Sequence, residues 1–179
     1  VLCGPYIVMT DKIFSENRKM KDDADFKALL ESELGHPVII IPWTPHEDDV
    51  YGHSDGFIKW CGDNRILMGN HGDCYPEESA SICRILESYG FEVTEMRFKG
   101  KVDKPCYDLN WAYINFLQVG KNIIMPIFDI PEDEIAQQYI QTAFPDCNIR
   151  QIEMKEIAKE GGALHCLSWN VYFPKTHLK

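Results

Sequence analysis

Apolar positions along the chain follow two rhythms that alternate three times. Compact runs rich in β-branched and aromatic residues have the length and composition of buried strands: Tyr6 to Met9, Phe57 to Trp60 with Arg65 to Met68, and Trp111 to Val119 with Ile123 to Ile127. Each lies beside a Gly-centred turn, at Gly4-Pro5, Gly62-Asp63-Asn64 and Gly120-Lys121-Asn122, and these turns recur 58 residues apart. The arrangement predicts hairpins. The apolar period then lengthens to three or four residues, with Phe26, Leu29 and Leu30 in Asp22 to Leu34, Ile82, Ile85, Leu86 and Tyr89 in Glu77 to Tyr89, and Ile135, Tyr139, Ile140 and Ala143 in Glu132 to Phe144. That period collects apolar side chains on one helix face. The helices are expected to stop at Gly35, Gly90 and Pro145, 55 residues apart, and Pro76 and Pro131 suit the starts of the second and third. A strand is expected after each helix, at Val38 to Ile41, Phe91 to Phe98 and Ile149 to Met154, and a further strand-like stretch runs from Ala163 to Tyr172.

The predicted unit of strand, turn, strand, helix and strand therefore occurs three times at a spacing of 55 to 58 residues. Repeats of this length predict a radial or stacked α/β array. An ordinary α/β sandwich whose loop lengths coincide is the alternative. No linker or low-complexity stretch divides the chain, so residues 1–179 read as one domain.

Composition narrows the class of protein. With 179 residues, 45% of them hydrophobic and 26% charged, the chain can bury a core, which excludes intrinsic disorder. The formal charge of −10 repels phosphate backbones and attracts cations, so nucleic acid is not an expected partner. Runs such as Val38-Ile39-Ile40-Ile41 fall far short of a membrane span, and no membrane partner is expected. Seven scattered cysteines, an odd number in a chain of this size, predict a reduced, cytoplasmic setting. The chain opens on a strand-like segment at Val1 rather than on a methionine, which suggests missing upstream residues.

Two short strings could carry chemistry. In Gly52-His53-Ser54-Asp55-Gly56, which enters the strand Phe57 to Trp60, a two-residue period would project His53 and Asp55 from one face, about 7 Å apart, with Ser54 pointing away. The plainer reading is a loop-capping pair. In Gly161-Gly162-Ala163-Leu164-His165-Cys166, paired glycines allow close backbone approach and Cys166 becomes a nucleophile if its thiolate is favoured. An inert packing cysteine is the alternative. As a strand neighbour His165 would face away from the thiol, so the base must come from elsewhere, and His53 is the natural supplier.

The remaining motifs are weaker. His71-Gly72-Asp73-Cys74 is half a zinc site without a second half. No Gly-rich phosphate loop or G-x-S-x-G elbow occurs. The run His46-Glu47-Asp48-Asp49 reads as a solvated loop that adds negative potential near His53, and Trp43, Trp111 and Tyr113 read as core.

Taken in order, Val8-Met9-Thr10-Asp11-Lys12-Ile13-Phe14-Ser15-Glu16-Asn17, Gly52-His53-Ser54-Asp55, Tyr113-Ile114-Asn115-Phe116 running into Ile123-Ile124-Met125-Pro126, Ala143-Phe144-Pro145-Asp146, and above all Gly161-Gly162-Ala163-Leu164-His165-Cys166 resemble the C-terminal half of agmatine deiminases. These belong to the bacterial peptidylarginine deiminase-like group of the guanidino-group-modifying pentein superfamily. The resemblance implies part of a five-fold propeller of ββαβ modules around an acidic pocket, with the N-terminal modules absent. It implies Cys166 as the nucleophile that attacks a guanidinium carbon, His53 as general acid/base, Asp55 as one of two carboxylates gripping the guanidinium, and Gly161 and Gly162 beside the substrate. The second carboxylate belongs to the absent half. The implied activity is a guanidine iminohydrolase acting on agmatine or an arginine-like substrate, with no metal or organic cofactor. A small cationic guanidine is the expected ligand, and a homodimer or a complementary N-terminal fragment would close the arc. A non-catalytic pentein module for binding or assembly is the competing expectation.

Overall fold

The computed structural model describes residues 1–17, 22–45 and 51–171. Among these, three separate three-stranded sheets share one wiring, an antiparallel hairpin followed by a helix and a third strand parallel to the second. The first sheet holds β1 (Leu2–Cys3), β2 (Tyr6–Thr10) and β3 (Val38–Ile41). The second holds β4 (Ile58–Trp60), β5 (Arg65–Met68) and β6 (Glu92–Glu95). The third holds β7 (Leu117–Val119), β8 (Asn122–Ile127) and β9 (Asn148–Glu153). Each hairpin turns at the predicted glycine, and Gly4, Gly62 and Gly120 all take the left-handed conformation. A parallel third strand requires a crossover, which the helices Asp23–Leu34, Pro76–Ser88 and Glu132–Ala143 provide. Three three-stranded sheets realise the repeated array and exclude the single sandwich.

Local chemistry sets the helix ends. The Asp22 carboxylate accepts the Ala24 N–H at 2.7 Å to cap the first helix, and Gly35 terminates it in the left-handed conformation. Pro76 opens the second helix, where its missing N–H costs nothing. In the third, the Asp133 carboxylate accepts the N–H groups of Phe128 and Ile130.

The two faces of β5 explain its unbroken apolar run. Ile66 and Met68 point into a core shared with Cys3, Val8, Ile39 and Ile41 of the first sheet and with Ile82 and Leu86 of the second helix. Leu67, on the opposite face, joins Phe98, Tyr113, Phe116, Ile123, Met125 and Ile140 in the core shared with the third module. Strand alternation thus makes β5 the partition between two cores, and all three side chains are at most 1% exposed.

Several expected elements differ. Trp111 to Val119 is not one strand: a helical turn at Tyr107–Asn110 runs into a 3-10 helix at Trp111–Asn115, and only β7 remains extended. Leu109, Ala112, Tyr113 and Phe116 are all buried and recur at i, i+3, i+4 and i+7, a helical period that the run of adjacent apolar residues disguised. Phe91 to Phe98 is a strand only over β6. Ala163 to Val171 forms no strand, because the N–H groups of Ala163, His165 and Cys166 are taken by Asn115 instead of a ladder. Leu167 and Trp169 are accordingly 64% and 88% exposed. Tyr172 and the run His46-Glu47-Asp48-Asp49 lie outside the described residues. No helix is long and apolar enough to cross a membrane among the described residues.

Candidate active site

His53 is fixed from the residue before it. Gly52 has φ +60°, and a side chain there would place Cβ 2.8 Å from the Trp43 ring, so only glycine lets the chain pass. Its carbonyl accepts a hydrogen bond from Thr10 Oγ1 at 2.6 Å, which ties the segment to β2. The expected strand alternation across His53-Ser54-Asp55 does not occur. His53 is extended, but Ser54–Gly56 is a 3-10 turn closed by the N–H of Gly56 on the His53 carbonyl and that of Phe57 on the Ser54 carbonyl. His53 and Asp55 nevertheless line one open cleft of about 190 Å³, while Ser54 turns away and donates to the Val8 carbonyl.

Cys166 lines the same cleft, although 111 residues separate it from Asp55. Its Sγ stands 3.5 Å from Asp55 Oδ2. The residue that brings them together is Asn115, fully buried at the end of the 3-10 helix. Asn115 Nδ2 donates to Asp55 Oδ2 at 3.0 Å. Its Oδ1 accepts the N–H groups of Ala163 and Cys166, each at 3.2 Å, and its carbonyl accepts the N–H of His165 at 2.9 Å. One side chain thus holds both the carboxylate and the thiol-bearing turn. Asn115 stood in one of the strings that carry the resemblance but was given no role there, and its signal was a lone amide inside the apolar run Ala112 to Phe116, because a buried polar residue is the informative exception in a core.

The paired glycines divide their roles. Gly161 lines the cleft with φ +88°, whereas Gly162 lies behind Cys166, where a Cβ would come 3.3 Å from the Cys166 Cβ. His53 is exposed, with its ring 5.7 Å from that of Tyr51, and no hydrogen bond joins it to Cys166 among the described residues. His165 faces the other way, as expected, though by turn geometry rather than strand alternation: its Nδ1 lies 3.5 Å from Lys59 Nζ.

The electrostatics follow from burial and from Asp55. The Cys166 thiol is pushed up by partial burial and then by the Asp55 carboxylate, with backbone and Asn115 hydrogen bonds opposing. His165 is held down by burial and by Lys59. Trp111, expected in the core, is half-buried and forms part of the cleft wall, while Tyr113 is fully buried as expected. His71 also lines the cleft and pairs with Glu78 at 3.1 Å, and no group of three or more metal-ligating side chains occurs among the described residues. Asp55 is the one carboxylate among the described lining residues, which include no arginine or lysine.

The family described as Porphyromonas-type peptidyl-arginine deiminase matches residues 3–171. The chain belongs to that family. Within the peptidyl-arginine deiminase family, the chain is 41% identical over 173 residues to an agmatine deiminase of Pseudomonas savastanoi pv. phaseolicola, covering 78% of this chain and 46% of the relative. It is 39% identical over 196 residues to that of Pseudomonas syringae pv. tomato, covering 92% and 53%. The agmatine deiminase structure from C. jejuni superposes with a TM-score of 0.73 at 18% identity, over 91% of this chain and 50% of that one, which shows the pentein fold. The chain spans about half the length of the curated relatives it matches.

Proposed function

We propose that residues 1–179 form the C-terminal modules of a pentein and carry the thiol side of a guanidine iminohydrolase site, with agmatine as the substrate that fits best. The observation that carries this reading is the meeting of Cys166 Sγ and Asp55 Oδ2 at 3.5 Å in one cleft, both held by Asn115.

A guanidinium is planar, delocalised and cationic at neutral pH, so it is a weak electrophile that must be held in place. Asp55 offers a charge-assisted hydrogen bond to it. Burial, and after it the Asp55 charge, pushes the Cys166 thiol up in the free protein. A bound cation offsets that charge, so substrate itself favours the thiolate. Sulfur then attacks the guanidinium carbon, with the thiol proton passing to His53. The tetrahedral adduct expels ammonia as His53 returns a proton to the leaving nitrogen. Water, losing a proton to His53, attacks the remaining amidino thioether. The C–S bond breaks, releasing the ureido product and regenerating the thiol.

The lining favours agmatine: Tyr51, Tyr75, Tyr107 and Trp111 offer aromatic faces that suit an aliphatic tail and a terminal ammonium. The second carboxylate that the family resemblance calls for would come from the modules that complete the relatives, or from a partner chain. A second reading, a non-catalytic binding module, is favoured by the half-length match alone.

Asp55→Asn separates the two. Removing the carboxylate should lower the Cys166 pKa, so alkylation of Cys166 at pH 7.5 rises while turnover in a protein with all modules is lost. A binding module predicts the change in alkylation but no turnover in any form. Slower alkylation in Asp55→Asn would contradict the assigned thiol–carboxylate coupling.

A further inference from the structure

Lys59 is a half-buried cation that the proposed reaction leaves unused. It lies on β4, and its ammonium reaches across to two segments at once. Nζ is 3.3 Å from the Phe116 carbonyl oxygen, 3.5 Å from His165 Nδ1 and 4.8 Å from the Phe116 ring centroid. Phe116 directly follows Asn115, and His165 directly precedes Cys166. The ammonium therefore bridges the segment that carries Asn115 and the turn that carries the thiol, on the side of that turn away from the cleft.

The surroundings make this contact more than surface decoration. Burial lowers the Lys59 pKa, opposed by the Asp55 carboxylate on the 3-10 turn and, when they ionise, by the thiols of Cys61, just beyond the end of β4, and of Cys166. Burial and this ammonium hold the His165 pKa down, opposed by Asp55. A neutral His165 accepts from Lys59 at Nδ1 and carries its hydrogen on Nε2. An ammonium held beside a carboxylate and a thiol in a partly desolvated wall acts over several ångströms, where an exposed one would be screened.

We propose that Lys59 is a positioning residue for the thiol: its ammonium clamps the Cys166 turn to the Asn115 segment, and its positive charge offsets the Asp55 carboxylate at Cys166. This rests on the reading of Cys166 as nucleophile, and deepens it by assigning a group that limits how far burial and the Asp55 carboxylate push the thiol up. Arginine preserves the charge, and methionine preserves the stem alone.

The test is the pH profile of Cys166 alkylation by iodoacetamide in the 179-residue chain, read by peptide mass spectrometry with the exposed Cys74 as internal reference. Lys59→Met is expected to move the Cys166 midpoint upward by roughly half to one pH unit, a three- to tenfold loss of rate at pH 7.5, with Cys74 unchanged. Lys59→Arg is expected to keep the midpoint close to that of the parent. Should Lys59→Met lose its melting transition, Lys59→Gln removes the charge while keeping a donor for the Phe116 carbonyl, and the same upward shift is expected. A midpoint unchanged in the charge-removing variant, or raised equally in Lys59→Arg, overturns the proposal, since loss of packing alone leaves the titration in place. Failure of the nucleophile reading is distinguishable: a Cys166→Ser protein with all modules that still releases ammonia would remove that assignment without altering the Lys59 shift.

Discussion

Replacing Asn115 with alanine is expected to lower the unfolding free energy by about 2–4 kcal/mol and to uncouple the thiol from its carboxylate. The amide makes three hydrogen bonds through its side chain, one to Asp55 Oδ2 and two from the N–H groups of Ala163 and Cys166. Its loss leaves the Ala163 N–H orphaned in a fully buried position. An unsatisfied buried polar group costs about 1–3 kcal/mol, and the Cys166 N–H and Asp55 add less because water reaches them. The turn that follows Gly162 has no ladder to fall back on, so Cys166 should sample other positions. Urea unfolding checks the first effect, and the pH profile of Cys166 alkylation checks the second, through loss of its dependence on Asp55. Asn115→Asp gives the sharper contrast. It keeps an acceptor for both N–H groups but sets a second carboxylate against Asp55, so one of the two must take up a proton, and stability should fall as pH rises through the carboxylate range. A stability within about 0.5 kcal/mol of the parent for Asn115→Ala would contradict the hub role.

The second large effect concerns turnover. With Asp55 as the single described carboxylate of the cleft, a guanidinium is held from one side, and misplacement of about 1 Å costs on the order of a hundredfold in rate. The 179-residue chain alone is therefore expected to release ammonia from agmatine very slowly or not at all. Joined to the remaining modules of the Pseudomonas savastanoi relative, it should gain at least about a hundredfold. In the joined protein Cys166→Ser should abolish turnover, and His53→Gln should lower kcat by about 10²–10⁴ with a smaller effect on KM. Rapid turnover by the short chain would mean that its site is complete without further modules. An inactive joined protein, across agmatine, arginine and arginyl peptides, would favour the binding module.

The legibility of this chain depended on whether a signal was local. The three hairpins and three helices were readable because a glycine turn, a proline start and a helical apolar stripe each act within a few residues, and their regular spacing carried the array. The segment from Tyr107 to Asn115 was not, because the adjacent apolar residues Trp111 to Ile114 read as a strand and disguise the helical spacing of the buried Leu109, Ala112 and Tyr113. Ala163 to Val171 looked like a strand by composition, yet its backbone donors are satisfied by an amide about fifty residues away, which no window of local sequence contains. For the same reason His53, Asp55 and Cys166 could be nominated from their strings while Asn115 could not. Its role exists only once the second and third modules are packed together.

If Cys166 Sγ is the atom that bonds to the guanidinium carbon, acid-quench peptide mass spectrometry of the joined protein during turnover of agmatine detects it most directly. The predicted result is a transient adduct with the mass of agmatine less ammonia, confined to the peptide containing Cys166 and absent in Cys166→Ser. Turnover without an adduct at Cys166, or an adduct on the cleft's other exposed cysteine, Cys74, would contradict the account.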